Sequence, residues 1–149
     1  HRLYIDNNPT STPLIYGEFD TDKVRLNDKL GVGVTPTNPI DVAGGAYCNG
    51  TTWENASSRE LKENIKGLTT DEAMDTLEGL NPVRFNYKTN REDENLGFIA
   101  EDVPELVASK DRKGMSAMDV VAVLTKVVQE QQRTIGELQK EIDELKKKK

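Results

Sequence analysis

Two adjacent serines and a lysine, Ser57, Ser58 and Lys62, are the residues whose types and spacing could support covalent chemistry. A serine hydroxyl is a weak nucleophile at neutral pH and needs a base within hydrogen-bonding reach, about 2.6–3.2 Å. The usual base is histidine, but the single histidine of this sequence is His1. A lysine is therefore the natural candidate, provided that it is neutral, a form that burial or a neighbouring cation favours.

The same serines also have a structural explanation. A serine just before Glu60-Leu61-Lys62 stands where a helix N-cap is expected, with its side-chain oxygen accepting a backbone N–H. Composition alone favours this structural role for both serines. The sequence lacks the Gly-x-Ser-x-Gly motif, so a serine hydrolase that acts on other molecules is not indicated.

Other kinds of site are excluded by the residues that the sequence lacks. Cys48 is the only cysteine, so neither an intrachain disulfide nor a cysteine-based zinc site is expected. The glycines of Gly31-Val32-Gly33 have neither the spacing nor the lysine of a phosphate-binding loop. We therefore expect neither a metal nor a cofactor.

Charge and hydropathy limit the partners of the chain. The net charge of −6 disfavours nucleic acid, and the basic run Lys146 to Lys149 is expected to complement a helix C-terminus. No stretch approaches 18 consecutive apolar residues, so we expect no membrane partner.

Only 35% of the 149 residues are hydrophobic, which predicts that part of the chain buries apolar surface against copies of itself. Because the sequence starts at His1 and not at Met, we expect a piece of a longer protein.

Residues 1–56 have the pattern of short strands. Alternating runs at Arg2–Asp6 and Lys23–Leu26 are separated by turn formers, among them residues 7–9 and the pair Gly44-Gly45. Strands this short cannot bury both faces within about 56 residues. We expect a β-rich stalk segment, a β-prism or triple β-helix, that intertwines with other chains.

From Ser57 onward the pattern becomes mixed, which makes the predicted fold class α+β. The capping box Thr69-Thr70-Asp71-Glu72 predicts the start of a helix. The segment 57–115 is expected to hold that helix up to Gly79, a strand over 83–87, a turn over 89–95, a partner strand over 96–100, a short helix within 101–107 and a loop.

The segment 116–149 predicts one long helix that begins at the N-cap Ser116. Its apolar residues have heptad spacing, with Gln131 as one polar member: Val121, Leu124, Val128, Ile135, Leu138, Ile142 and Leu145. We call these seven apolar residues the seam. The first half is widened by Val120, Val123 and Val127 and should pack on more than one neighbour.

The seam predicts self-association, because the chain holds no second long helix with which it could pair. Isoleucine and leucine at alternating core positions favour a two-stranded coiled coil by themselves. The heptads alone therefore do not indicate three strands.

Four blocks of the sequence resemble, in the right order, the intramolecular chaperone domain at the C-termini of bacteriophage tailspikes, tail fibres and neck appendages, the peptidase S74 family. The blocks are residues 57–65 (SSRELKENI), 80–87 (LNPVRFNY), 96–106 (LGFIAEDVPEL) and 122–126 (AVLTK). The resemblance covers about residues 57–145. Upstream, residues 30–34 and 40–45 are similar to the fibre segments that usually precede this domain.

This resemblance implies a homotrimer whose C-terminal domain holds three chains in register while the N-terminal fibre region folds. The domain then releases itself by cutting the Ala56–Ser57 bond, with Ser57 as nucleophile and Lys62 as base of a serine–lysine dyad. The chain would be a single-turnover autoproteolytic serine peptidase. The resemblance implies residues 1–56 as stalk, residues 57–149 as chaperone, and a phage or prophage tail fibre or spike assembled in the bacterial host cytoplasm.

One position departs from the family pattern. The second residue of the first block is commonly Asp in the family, and Ser58 here supplies a competing hydroxyl four residues before Lys62. Family spacing favours Ser57. The alternative function is a permanently attached trimerisation cap that does not cleave. A further hypothesis is an adhesin tip in which Trp53 and Tyr47 stack on sugar.

Overall fold

The computed structural model describes residues 2–6 and 13–148. The chain divides into two compact units, His1–Ile65 and Lys66–Lys149. The turn predicted at residues 7–9 lies outside the described residues, as do His1 and Lys149. The α+β class is confirmed. The boundary predicted between residues 56 and 57 stays a prediction.

The first unit opens with a three-stranded antiparallel sheet in the order β1-β2-β3. Its strands are β1 (Arg2–Ile5), β2 (Ile15–Glu18) and β3 (Lys23–Leu26). The two strands predicted in this region, β1 and β3, are thus confirmed. Tyr4 and Tyr16 face each other in the register and pack edge to face, with ring centroids 5.3 Å apart. All four residues of β3 are exposed.

A four-stranded sheet follows in the order β4-β5-β6-β7. Its strands are β4 (Leu30–Val32), β5 (Ile40–Val42), β6 (Tyr47–Cys48) and β7 (Trp53–Glu54). The first pair is parallel and the other two pairs are antiparallel. A 3₁₀ helix, Arg59–Leu61, lies downstream of β7 in the same unit.

The second unit contains helix α1 (Thr70–Glu78), a hairpin of β8 (Val83–Tyr87) and β9 (Asn90–Gly97), a 3₁₀ helix (Glu105–Val107) and helix α2 (Ala117–Lys147). The predicted capping box of α1 is present, since Thr69 and Glu72 each accept the other's backbone N–H. The core is formed by five buried residues from both helices and the connection between them: Ala73, Val103, Val107, Val123 and Val127.

The hairpin corrects one prediction. The polar residues 90–95 belong to β9 and not to a turn, and β9 ends at Gly97, so residues 98–100 are not a strand. Most side chains of β9 are exposed, so backbone pairing with β8 forms this strand without a buried apolar face. An ion pair between Arg84 and Glu94, 2.6 Å long, also joins the two strands.

Helix α2 confirms the predicted start, because Ser116 Oγ accepts the N–H of Met118 at 3.2 Å. Val123 and Val127 are buried in the core, whereas the seven seam residues are 42–64% exposed. The two sides of the first half therefore differ, one packed within the unit and one open. Within residues 2–6 and 13–148, no helix has the combined length and apolar character that crossing a bilayer would require.

Candidate functional site

Ser57 and Lys62 lie on either side of one tight backbone turn. After β7 the chain runs without regular structure to Ser58, and the 3₁₀ helix Arg59–Leu61 then redirects it. Two backbone bonds close this turn: Leu61 N–H donates to Ser58 O at 3.2 Å, and Lys62 N–H donates to Arg59 O at 3.1 Å. The turn brings the side chain of Lys62 back toward Ser57.

The nitrogen Nζ of Lys62 donates a hydrogen bond to Oγ of Ser57 over 2.6 Å. This distance lies within the reach needed for proton transfer between a nucleophile and its base. The direction of transfer depends on protonation: an ammonium group donates to the hydroxyl, whereas a neutral amine would accept its proton. Both side chains are exposed to solvent. Their chemical roles remain predictions.

Ser58 has a different environment from Ser57. It is the N-cap of the 3₁₀ helix, and its Oγ accepts the N–H of Glu60 at 3.3 Å. The N-cap expected for both serines is therefore present at Ser58, and the contact to Lys62 is made by Ser57. Although Ser58 is one residue closer to Lys62 in sequence, its hydroxyl is used in the cap.

Ala56, the residue before Ser57, is half-buried and faces Gly45. A Cβ atom added to Gly45 would lie well under 3.0 Å from the Cβ of Ala56, closer than Cβ atoms approach in proteins, and 3.8 Å from Cδ1 of Leu61. Only a glycine therefore fits at position 45. The sequence predicts a turn at Gly44-Gly45 but not this contact, because its partner is eleven residues downstream.

Backbone hydrogen bonds hold the turn that carries Gly45. Val42 N–H donates to Ala46 O at 2.8 Å, and Gly45 N–H donates to Val42 O at 3.0 Å. Ala43 N–H donates to Val32 O at 2.8 Å, which ties the turn to β4. Gly45 has a φ of +95°, a conformation that glycine adopts without a steric penalty.

The crossover between β4 and β5 is held by the carboxylate of Asp41, which is buried. It accepts N–H groups from the backbone and side chain of Asn38 at 2.8 and 2.9 Å, and it also accepts the backbone N–H and the hydroxyl of Thr37. These bonds lower the pKa of Asp41 to about 2, and the bond from the Asn38 backbone contributes most to this shift. The loop is thus fixed by a carboxylate that stays ionised.

The described part of the chain contains no group of three or more His, Cys, Asp or Glu side chains placed to hold a metal ion. Cys48 is a free thiol and is half-buried.

One family model matches the chain, and its match begins at Ser57. Residues 57–112 match the family model of the peptidase S74 chaperone of endosialidase. We call residues 57–112 the S74 segment. The family resemblance expected from the sequence is confirmed over these residues, which are less than half of the chain. Comparison with curated proteins and comparison with solved structures each gave no match.

The S74 segment includes three of the four sequence blocks that carried the resemblance, and the fourth, in α2, lies beyond it. A match to this family over the S74 segment implies an intramolecular chaperone of fibres or tailspikes with autoproteolytic activity. The first residue of the S74 segment is also the residue whose hydroxyl contacts Lys62.

Proposed function

We propose that this chain is the C-terminal intramolecular chaperone of a phage-type tail fibre or tailspike, which trimerises the fibre and then cuts itself off between Ala56 and Ser57. The observation that carries the proposal is the 2.6 Å contact between Lys62 Nζ and Ser57 Oγ at the first residue of the S74 segment. Ser57 is the nucleophile and Lys62 is the base.

The reaction begins when the neutral amine of Lys62 takes the proton from Ser57 Oγ. The oxygen attacks the carbonyl carbon of Ala56, the C–N bond between Ala56 and Ser57 breaks, and the nitrogen of Ser57 takes the proton back from Lys62. This N-to-O acyl shift leaves an ester. Water then attacks the same carbon, the ester C–O bond breaks, and Ser57 Oγ takes a proton from that water. The products are a carboxylic acid at Ala56, which loses its proton to solvent, and a free amine with a restored hydroxyl at Ser57.

Proximity supplies much of the rate in this scheme. The nucleophile is in the residue directly after the bond that breaks, and the base already lies against it. A reaction between groups that are held together avoids the entropy cost of bringing reactants together. One turnover on a bond within the chain needs no substrate pocket.

The open seam of α2 supports self-association. Its seven residues are regularly spaced, and each of them is 42–64% exposed in the single chain. The opposite side of the first half packs on the core through Val123 and Val127, so the unit can fold alone and still present the seam. Three copies that pair along the seam give the homotrimer that the S74 family implies.

The N-terminal strands support a role as the region that is folded. Large apolar side chains, among them Phe19, Val24 and Trp53, are 64–75% exposed. Other copies of the chain would cover them in an intertwined stalk. A coiled coil that brings the copies together raises their effective concentration and sets the register before the strands can mispair.

The permanently attached cap is the second candidate, and the exposure of Ser57 and Lys62 favours it. Cleavage needs an amine that accepts the hydroxyl proton, and burial is what favours that neutral form of a lysine. In the proposed function, assembly must therefore remove water from the site before cleavage.

Intact mass spectrometry of purified protein over several days separates the two candidates. We expect fragments 1–56 and 57–149 from the wild-type chain and from Ser58→Ala, and no cleavage in Ser57→Ala or Lys62→Ala. Cleavage that only Ser58→Ala blocks would assign the nucleophile to Ser58. A trimer that stays intact in every variant would leave the permanent cap.

A further inference from the structure

We propose that Gly45 is a positioning residue that seats the side chain of Ala56 and restricts position 56 to alanine or glycine. The inference rests on the proposed cleavage of the Ala56–Ser57 bond and adds to it a determinant of which sequence can be cut. It gives a role to a glycine upstream of the S74 segment.

The contact is made by two small residues, Gly45, which has no side chain, and Ala56, whose side chain is one methyl group. The Cα of Gly45 lies so near the methyl group of Ala56 that no additional carbon fits between them. The same added Cβ would also lie 3.8 Å from Cδ1 of Leu61. Gly45 therefore contacts the residue before Ser57, and a side chain at position 45 would also reach the residue before Lys62.

The turn that carries Gly45 is held by hydrogen bonds and can therefore fix the position of the Ala56 side chain. It is closed by the two hydrogen bonds between Val42, Gly45 and Ala46, and it is tied to β4 through Ala43. In this inference, a side chain larger than alanine at position 56 displaces the scissile bond from the turn. A carbonyl carbon displaced by about 1 Å from the attacking oxygen loses about 100-fold in rate.

Gly44 provides a matched control for Gly45. Its φ is +98°, almost the same as the +95° of Gly45, so alanine meets a similar backbone penalty at either position. A Cβ on Gly44, however, would meet nothing within 4 Å. Gly44→Ala and Gly45→Ala therefore differ because only the added methyl group at position 45 meets Ala56 and Leu61.

The test compares rates of self-cleavage in the full chain, followed by intact mass. We expect Gly44→Ala to cut at nearly the wild-type rate and Gly45→Ala to cut about 100-fold more slowly. Ala56→Val should be slow for the same reason, and Ala56→Gly should be cut. Removing the methyl group in the double variant Gly45→Ala/Ala56→Gly should recover most of the lost rate, which would not happen if the loss came from backbone strain at position 45.

Equal rates for Gly44→Ala and Gly45→Ala, or fast cleavage of Ala56→Val, would overturn the inference while leaving the proposed function intact. If Gly45→Ala does not fold, as judged by circular dichroism, the comparison of Ala56→Val with Ala56→Gly decides. A wild-type chain that is never cut overturns the proposed function and this inference with it.

Discussion

The two units of this chain differ in whether they have a core of their own. In Lys66–Lys149 five hydrophobic residues are at most 3% exposed and pack together. In the described part of His1–Ile65 the buried positions are Pro13, Gly17 and Asp41, and no large apolar side chain is among them. One unit is thus stabilised by apolar burial and the other by backbone pairing and turns.

This difference indicates an order of folding. A unit with its own core can form in a single chain, because the burial of its apolar groups offsets the loss of chain entropy. Small sheets with exposed apolar side chains need a partner surface against which those side chains can be buried. The proposed chaperone therefore folds first and provides the assembly on which the N-terminal sheets complete their burial.

The largest expected effect comes from a charge in the core. Val123→Asp places a carboxylate at a position that is 2% exposed, and we expect it to destabilise the second unit by about 4 kcal/mol or more. Far-UV circular dichroism on heating measures this loss. Gln129→Asp is the control, since Gln129 is an exposed residue of α2 that lies outside the seam. Similar unfolding in both variants would contradict the division of α2 into a buried and an open side.

A substitution on the seam should separate assembly from folding. Leu138→Gln retains helix propensity but removes an apolar seam residue, and we expect it to raise the concentration needed for self-association about tenfold or more. Sedimentation equilibrium measures this change, with Lys140→Gln on the opposite side of the helix as the control. If the wild-type chain is monomeric at every concentration, self-association through the seam is wrong.

Loss of the α1 cap should have a moderate effect that is confined to the second unit. Thr69→Ala removes the hydroxyl that caps the helix, and we expect the free energy of unfolding in urea to fall by about 1 kcal/mol. Thr69→Ser keeps a hydroxyl and should retain the wild-type stability. The Thr69 hydroxyl is also the main cause of the lowered pKa of Glu72. The stability that Glu72 provides is present above its ordinary pKa of 4.5, and it is lost as the pH falls. Thr69→Ala should reduce this acid sensitivity.

The smallest effect is expected in the first unit, where the wild-type chain loses stability in acid. The pKa of Asp41 falls from 3.8 to about 2 on folding, so its contribution is complete above pH 3.8 and is lost as the pH falls toward 2. Asp41→Asn should remove this dependence and lower stability at neutral pH. Fluorescence of Trp53, which lies in the same sheet, reports the unfolding of this unit, and the exposed Asp28→Asn is the control. The same acid transition in wild type and Asp41→Asn would show that Asp41 does not hold the loop.

Local patterns in the sequence predicted much of the second unit. The capping box at Thr69, the N-cap at Ser116 and the heptad spacing each act within a few residues, so they can be read directly. Strand β9 could not be predicted in this way, because its polar residues 90–95 pair through their backbone and leave no hydrophobic alternation.

The candidate site was partly predictable for the same reason. Ser57 and Lys62 are five residues apart, and one short turn joins them. The seat at Gly45 depends on the pairing of β5 with β6 and of β6 with β7, which together bring two distant segments into contact. Such a contact depends on sheet register, and no local pattern encodes it.

The position of α2 downstream of all nine described strands has a consequence for synthesis. A ribosome that adds about 5–20 residues per second makes the N-terminal sheets several seconds before the helix that is proposed to gather the chains. A chain that stops before Ala117 has strands but no seam. The proposed assembly through α2 would therefore exclude chains whose translation stopped before this helix, because such chains lack the seam.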